Sequence, residues 1–505
     1  MHWADVVASK LSGKQLVSTG ISPSGPIHVG NMREILTGDA IFKASVTAGV
    51  ESRFIYLCDD IDPLRKVYPF LPQSYASEIG KPLYRIRAPE GDGTYSEFFL
   101  RPFIETLDKV NVHVEVIRTH DLYASGIFEK AIDTVIKRKD DVAGILEEVS
   151  GRKLEDGWFP YNPICKKCGS MKGPVVDGYE YPQVKYHCTC GYIGFSDIRT
   201  DEGKLPWRIE WPAKWYVLGV TVEPMGKDHG AAGGSYDTGK RIVEEIFGYP
   251  APVAPIYERI LLKGAGAMHS STGIAIAASE MMKFSPPEIL RFLIMRNNPN
   301  RHIVFDPGIG ILSLIDEFEK YEKAYFGEDR VADDDYRRVY ELSVVTEETR
   351  KPDRIGYRHL LTLIQIYHGD AELLDALKRN GYDEDSISKR LRERIITLNN
   401  WLEKYAPDDI KFRIQPLEGK VVLNDDQKKI LRSFLDRMDS IPWNPESIHN
   451  VVYEIISANG IKPQEGFGAF YRALIDKEKG PRLGYFLSNL DRKFVKMRIT
   501  SAVNY

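Results

Sequence analysis

The sequence predicts an α/β domain built on a parallel sheet, interrupted by a cysteine knuckle and followed by an all-helical domain. Three observations carry this expectation. A strand–helix–strand pattern lies near the start of the chain. Four of the five cysteines fall in one 26-residue stretch. After about Asp306 the apolar residues take helical spacing and strand signals fade.

Lys14 to Gly20 (KQLVSTG) reads as a short buried strand, and a Ser/Pro/Gly turn follows. Met32, Ile35, Leu36, Ala40 and Ala44 then recur at helical spacing. Arg53 to Asp60 (RFIYLCDD) is a second strand with acidic residues at its C-terminal end. Strand, helix and strand within about 45 residues make a βαβ unit and hence a parallel sheet. Val112 to His120 reads as a third strand, and the stretch from about Ser125 to Gly151 as charged helix. Trp215 to Pro224 (WYVLGVTVEP) resumes strand character, and SYDTGKRIVEEIFG reads as a helix. The cysteine stretch is therefore an insertion. Ile311, Leu314, Ile315 and Phe318 open the helical region, which runs to Tyr505.

A chain of 505 residues has room for about three or four domains. Its 43% hydrophobic and 28% charged residues suit a globular protein in water. No run of about 18 apolar residues predicts a membrane span. MHWADVVASKLSGKQ has no apolar signal core, so a cytoplasmic location is expected. The net charge of −4 argues against indiscriminate nucleic-acid binding and leaves room for local basic faces.

Cys165, Cys168, Cys188 and Cys190 form C-x2-C, 19 residues, C-x-C. Two close pairs around a hairpin-length segment suit four thiolates on one tetrahedral Zn²⁺. Glycines after Cys168 and Cys190 allow the tight turns such ligands need. Four protein ligands leave no open position, so the role is structural. Two disulfides are the alternative, disfavoured by a reducing cytoplasm. His187 in place of Cys188 is a further ligand choice.

The turn SPSGPIHVGN stands where ligands bind in such sheets, at a strand's C-terminal end. Gly25 and Gly30 allow close backbone approach, and His28 and Asn31 open a helix three residues apart. Both can reach one phosphate, helped by the positive helix end. The alternative is that His28 caps the helix.

PIHVGN resembles the HIGH signature of class I aminoacyl-tRNA synthetases, with Asn31 at the second histidine. TGISPSGPIHVGNMRE, DDIDPLRK, WRIEWPAKW, PMGKDHGAAGGSYDTG, PPEILRFLIMRNNPNRHIVFDPGIG and GPRLG closely resemble class I lysyl-tRNA synthetases. The resemblance implies a Rossmann-type (HUP-like) catalytic domain from residues 1–120 and 205–275, with an inserted zinc-knuckle subdomain at 121–204. It implies connecting, stem-contacting helices at 276–320 and a helical anticodon-binding domain at 321–505, like that of glutamyl-tRNA synthetase. The activity implied is attachment of L-lysine to tRNA(Lys) with ATP and Mg²⁺, through an adenylate whose formation requires tRNA.

By the same resemblance, ATP lies over Pro26, His28, Gly30 and Asn31, with its adenosine side towards Gly226, Asp228 and His229. The amino acid lies near Thr19, Gly20 and Ser22, against Trp207 or Trp211. A lysine side chain needs an aromatic wall and a terminal anion. Asp59, Asp60 or Asp62 offers the anion. Core packing for the tryptophans, and a strand-end turn holding Arg65 and Lys66 for the aspartates, are the alternatives.

The family's second signature is a loop reading KMSKS, often KMSSSKG. This chain reads AMHSSTG over Ala267–Gly273. Met268, Ser270 and Ser271 match, so they join His28 and Asn31 as catalytic positions. Both loop lysines, which neutralise phosphate charge in the family, are replaced, by Ala267 and Thr272. Three readings stand. Lys263 swings in on Gly264 and Gly266; His269 acts as a partial cation; or the chain is a non-charging tRNA-binding paralogue. A class I synthetase for glutamate is a further alternative, because Arg208 and Lys214 offer cations for a substrate carboxylate.

Basic stretches nominate tRNA contacts at Arg390, Arg392 and Arg394, at Lys411 and Arg413, and at Arg492 and Lys493. Phe412, Tyr485 and Phe494 are interleaved aromatics able to stack on unpaired bases. NNPNRH (Asn297–His302) is placed to meet the acceptor stem. The alternative for each is a solvated helix face.

Overall fold

The computed structural model describes residues 1–268, 275–346, 355–379, 382 and 389–504. It divides into two compact units. The first holds the chain to Met282, then Pro287–Asp306 and a segment starting at Lys320. The second holds Lys283–Pro286, Pro307–Glu319 and the C-terminal helices.

In the first unit a short helix, α1 (Trp3–Ala8), precedes β1 (Gln15–Ile21), α2 (Met32–Thr47) and β2 (Ser52–Cys58). β1 and β2 pair in parallel from Gln15↔Ser52 to Ile21↔Cys58. Phe54 to Cys58 are all buried, as in a parallel strand covered on both faces. α2 packs closely because of Gly38, where a Cβ would stand 2.8 Å from the Thr19 methyl and 2.9 Å from Phe54. α3 (Tyr95–Lys109) opens with a Thr94/Glu97 capping box. β3 (Glu115–Arg118) then pairs in parallel with β2.

That third strand is shorter than the sequence suggests, because Thr119 already starts α4 (Thr119–Ala124). Carboxylates at the end of β2 hold that start: the Thr119 hydroxyl donates to Asp59 at 2.8 Å and the His120 amide to Asp60 at 3.1 Å. The helix expected over 125–151 is two, α5 (Glu129–Lys137) and α6 (Lys139–Ser150), closed by Gly151 at φ +66.

β4 (Asn162–Pro163) opens the cysteine subdomain, and β5 (Pro174–Glu180), β6 (Gln183–Cys188) and β7 (Ile193–Asp197) form an antiparallel meander. β8 (Gly203–Lys204) pairs back onto β4. The strand expected at Trp215 is instead the end of α7 (Trp207–Leu218). Trp207, Trp211 and Trp215 recur at helical spacing, and Gly219 at φ +76 ends the helix. Extended chain resumes at Val222, which bridges Val17 of β1 on one side and Val253 on the other, both in parallel. The parallel order is therefore β3, β2, β1, Val222, Val253. Strand order reverses between β1 and Val222, where a ligand crevice opens in such sheets.

β9 (Met225–Gly226), α8 (Lys227–Gly230) and α9 (Ser235–Arg241) follow. β10 (Ile256–Tyr257) pairs with β9, and β11 (Ile260–Leu262) and β12 (Gly266–Ala267) form a hairpin. α10 (Ala278–Phe284), α11 (Pro287–Met295), β13 (Ile303–Phe305), α12 (Ile309–Tyr325) and α13 (Tyr336–Ser343) lead into the helical region. There α14 (Tyr357–Ile366) to α21 (Arg492–Asn504) surround a core including Ile430, Phe434, Val452, Phe470 and Phe486. Among the described residues no helix is long and apolar enough to cross a membrane.

Arg291 of α11 is fully buried. It donates to Asp39 at 2.6 Å and to the carbonyls of Leu342 and Val110 at 2.7 and 3.0 Å. Asp39→Ala leaves this guanidinium without its anion. A loss of about 3–5 kcal/mol is expected, read as a fall in the denaturant midpoint of the first unit.

Candidate active site

The signature turn is built by mutual capping. The His28 amide donates to Asn31 Oδ1, and the Asn31 amide donates to His28 Nδ1, each at 3.2 Å. Capping and chemistry are therefore compatible. With Nδ1 accepting, the neutral imidazole carries its proton on Nε2. At Gly30 a Cβ would stand 2.9 Å from the His28 ring, so the ring's position requires glycine. Pro26 is exposed on the turn.

Residues beyond the second signature are strapped to the first. The Val29 amide donates to Ile276 O, and the Ala278 amide to Ile27 O, each at 2.9 Å. Met268 is buried, its methyl 3.7 Å from the Gly30 Cβ position. His269, Ser270, Ser271, Thr272 and Gly273 lie outside the described residues. Lys263 stands in the β11–β12 hairpin, between Leu262 and the positive-φ glycines Gly264 and Gly266. Its ammonium lies 2.7 Å from Asp306.

At the end of β1 the sequence reasoning missed three residues. The Gly20 amide donates to Glu34 at 2.8 Å, and the Tyr257 hydroxyl donates to the other Glu34 oxygen at 3.0 Å. Glu223, next to Val222, accepts from the indoles of Trp211 at 2.9 Å and Trp215 at 2.5 Å. Burial, with Glu223 and Asp59 nearby, pushes the Glu34 carboxyl up to about 8. Burial likewise raises Glu223 to about 7, and it raises Asp59. An acid just after an apolar strand was the signal available for Glu223, since the same pattern nominated Asp59. Glu34 reads as an ordinary acidic first-turn residue.

Several candidates need correction. Thr19 is fully buried and its methyl packs towards Gly38 of α2. Asp60 is also fully buried and is engaged by the His120 amide and ring, the latter at 2.6 Å, with Arg118 at 3.7 Å. It braces β2 against α4 rather than facing a ligand. Asp59 pairs with Lys214, and Asp62 with Lys204, while the Ser22 hydroxyl donates to Asp62 at 2.6 Å. The aspartates' cations are thus not Arg65 and Lys66.

Trp207 and Trp211 are half-buried and stack at 5.7 Å, with the His229 ring against both at 5.4 and 5.6 Å. Burial lowers the proton affinity of His229, which favours the neutral ring. Asp228 accepts from Arg259 Nε at 3.0 Å. Gly226 neighbours Tyr257 across β9–β10. Arg208 donates to Ser235 at 3.0 Å, and Lys214 is closed in by Asp59 and Glu210. Of the NNPNRH stretch, the carbonyl of Pro299 accepts from Arg33 at 2.9 Å, and His302 lies 3.2 Å from Glu258.

The four cysteine sulfurs lie within 4.8 Å of one another, with Cys165–Cys190 at 3.6 Å and Cys168–Cys188 at 3.8 Å. Metal–sulfur bonds of about 2.3 Å in a tetrahedron place sulfurs about 3.8 Å apart, so the set fits one such ion. Gly169 and Gly191, at φ +73 and +83, make the two knuckle turns. His187 faces away, 2.7 Å from Asp177.

Residues 1–346 match the model of tRNA synthetases class I (K), and residues 366–503 match an anticodon binding domain. The chain belongs to the class I (K) tRNA synthetases. A lysine–tRNA ligase of Picrophilus torridus is 55% identical over 501 residues, covering 99% of each chain. One of Thermoplasma acidophilum is 53% identical over 503 residues, covering 100% of this chain and 99% of that one. One of Archaeoglobus fulgidus is 43% identical over 509 residues, covering 100% of both.

In this synthetase's helical unit, Arg392, Arg413 and Lys493 are exposed, and Arg390, Lys411 and Arg492 half-buried. Lys411 stands 3.8 Å from Asp408, and Arg492 lies over the Trp443 ring at 5.4 Å. Arg394 is corrected: it is 3% exposed, 3.3 Å from Glu319 and over the Tyr357 ring at 5.8 Å. It holds helices together. Phe412 is also a core residue, edge-on to Phe486, and Phe494 packs on the same core. Tyr485 keeps an exposed ring.

Cys165→Ser or Cys190→Ser is expected to lower bound metal from about one ion per chain to a small fraction of that. Elemental analysis of the purified proteins reads it.

Proposed function

We propose that this chain attaches lysine to tRNA(Lys) in the cytoplasm through a lysyl-adenylate, using ATP with Mg²⁺. The observation that carries the lysine assignment is the trio of carboxylates around Gly20, with Glu223 buried and Glu34 and Asp59 half-buried. Burial raises the proton affinity of all three, and like charge nearby adds to it: Glu223 and Asp59 at Glu34, and Asp59 at Glu223. An ammonium entering beside Gly20 and Tyr257 relieves that crowding, whereas a substrate carboxylate adds to it. Lys214 is already held by Asp59 and Glu210, so a glutamate side chain finds no ready cation there. Trp211, held by Glu223, offers a wall for the aliphatic stem. The three related lysine–tRNA ligases support the same reading.

The lysine carboxylate attacks the α-phosphorus of ATP and pyrophosphate leaves. A ribose hydroxyl of the terminal tRNA adenosine then attacks the adenylate carbonyl and AMP leaves. Positioning and electrostatics carry both steps. His28, held by Asn31 at the start of α2, offers Nε2–H to phosphate charge beside a positive helix end. His229, set against the stacked indoles of Trp207 and Trp211, faces the adenosine side as a neutral hydrogen-bonding ring. Lys263 takes the part of the missing loop lysines by leaving Asp306 for the leaving pyrophosphate. Cys165, Cys168, Cys188 and Cys190 would hold one Zn²⁺, which would fix the inserted fold. Arg392, Arg413 and Lys493 serve the tRNA.

The test is lysine-dependent pyrophosphate exchange with tRNA present. Glu34→Gln is expected to raise the lysine KM by about tenfold or more. Below about pH 8 the free protein holds a proton on Glu34 that a bound ammonium must displace. The lysine KM therefore falls by up to about tenfold per pH unit on approach to pH 8, then levels, since the ligand ammonium stays charged to about pH 10. A KM in the wild type independent of pH from 6.5 to about 8.5 contradicts the assignment. His28→Ala and Gly30→Ala are each expected to lower kcat by about 10²–10³ with unchanged circular dichroism.

A further inference from the structure

Lys204 ends β8, just before α7, where the inserted segment ends. Its side chain is 3% exposed. The ammonium pairs with Asp62 and lies 3.0 Å from Glu210. Glu210 lies 3.2 Å from Lys214, which closes on Asp59. Three anions and two cations thus alternate in one buried row: Asp62, Lys204, Glu210, Lys214, Asp59. The backbone beside Lys204 is fixed as well. The Leu205 amide donates to the Tyr123 hydroxyl at 3.1 Å, and that hydroxyl donates to Glu210 at 2.8 Å.

One end of the row reaches the crevice. The Ser22 hydroxyl donates to the second oxygen of Asp62 at 2.6 Å, and Ser22 stands two residues beyond Gly20. The other direction leads into the insertion. Lys204 and Gly203 pair with Asn162 and Pro163 of β4, and Cys165 follows β4 by two residues. The Ile164 amide donates to Glu202 at 2.8 Å, and Lys166 pairs with Glu202 at 2.9 Å.

A buried ion row is expensive to desolvate and is seldom the best way to stabilise a fold. What this one fixes is geometry and hydrogen-bond direction. An ionised Asp62 only accepts, so Ser22 must donate to it. The serine oxygen is then left with its lone pairs for a ligand N–H, such as the α-ammonium of an amino acid. Without the Lys204 charge a buried carboxyl favours its protonated form, which can donate back to Ser22 and reverse that polarity.

We infer that Lys204 is a positioning residue of the amino-acid subsite: through Asp62 it sets Ser22 as an acceptor at the end of β1, tying that subsite to the folded cysteine insertion. This rests on the reading that the amino acid binds beside Gly20 and Ser22.

The test is calorimetry of lysine and of ATP, separately, on the full chain. Lys204→Met with Asp62→Asn removes cation and anion together. It is expected to raise the lysine Kd about tenfold, to leave the ATP Kd within about twofold, and to add little to Ser22→Ala. Lys204→Arg alone, which keeps the charge on Asp62, is expected to retain most of the wild-type lysine affinity. Should the double variant fail to fold, Asp62→Asn alone leaves Lys204 on Glu210 and must likewise weaken lysine and spare ATP. Unchanged lysine affinity, or equal losses for lysine and ATP, overturns the inference. Lysine affinity lost in Glu34→Gln but kept in Ser22→Ala overturns the inference alone. Lysine affinity kept in both overturns the lysine site itself.

Discussion

The hydrogen bond from the Gly20 amide to Glu34 joins the end of β1 to the first turn of α2. Around it the site is assembled. Tyr257 reaches the same carboxylate from β10, and Gly226 beside it leads into α8 with Asp228 and His229. Glu223 stands one residue past Val222 and orders two tryptophans of α7. Gly20 and Glu223 stand at the place where strand order reverses, and α2, α7 and β10 supply the rest. The sheet leaves that crevice open, and burial raises the proton affinity of its acids.

The electrostatics of the crevice are asymmetric. Its cations, Lys204 and Lys214, sit in a buried row where acids outnumber them. Towards the second signature, Lys263 pairs with Asp306 and Arg259 with Asp228, and both cations are exposed. Buried pairs hold geometry, whereas exposed pairs exchange partners at little expense. That contrast suits a site that grips an amino acid rigidly and neutralises phosphate charge only in passing.

Much of this was legible in the sequence. The βαβ start, the cysteine spacing and the signature turn each follow from local rules of period, turn chemistry and ligand geometry. Trp215 to Leu218 misled because an apolar run fits strand or helix equally, and the tryptophan spacing and Gly219 settle it. Asp60, Thr19, Arg394 and Phe412 misled because residue type does not reveal burial. Glu34 was hidden in plain view. Its role arises from a hydrogen bond across 14 residues to Gly20 and another across 223 to Tyr257, which no local pattern encodes.

The measurement that tests the account most directly is aminoacylation of bulk tRNA by the purified protein with ATP and Mg²⁺, scanning the standard amino acids in parallel. Charging with lysine alone is expected, despite a loop reading AMHSSTG. Charging with an acidic amino acid, or none by protein that still binds tRNA, would contradict it.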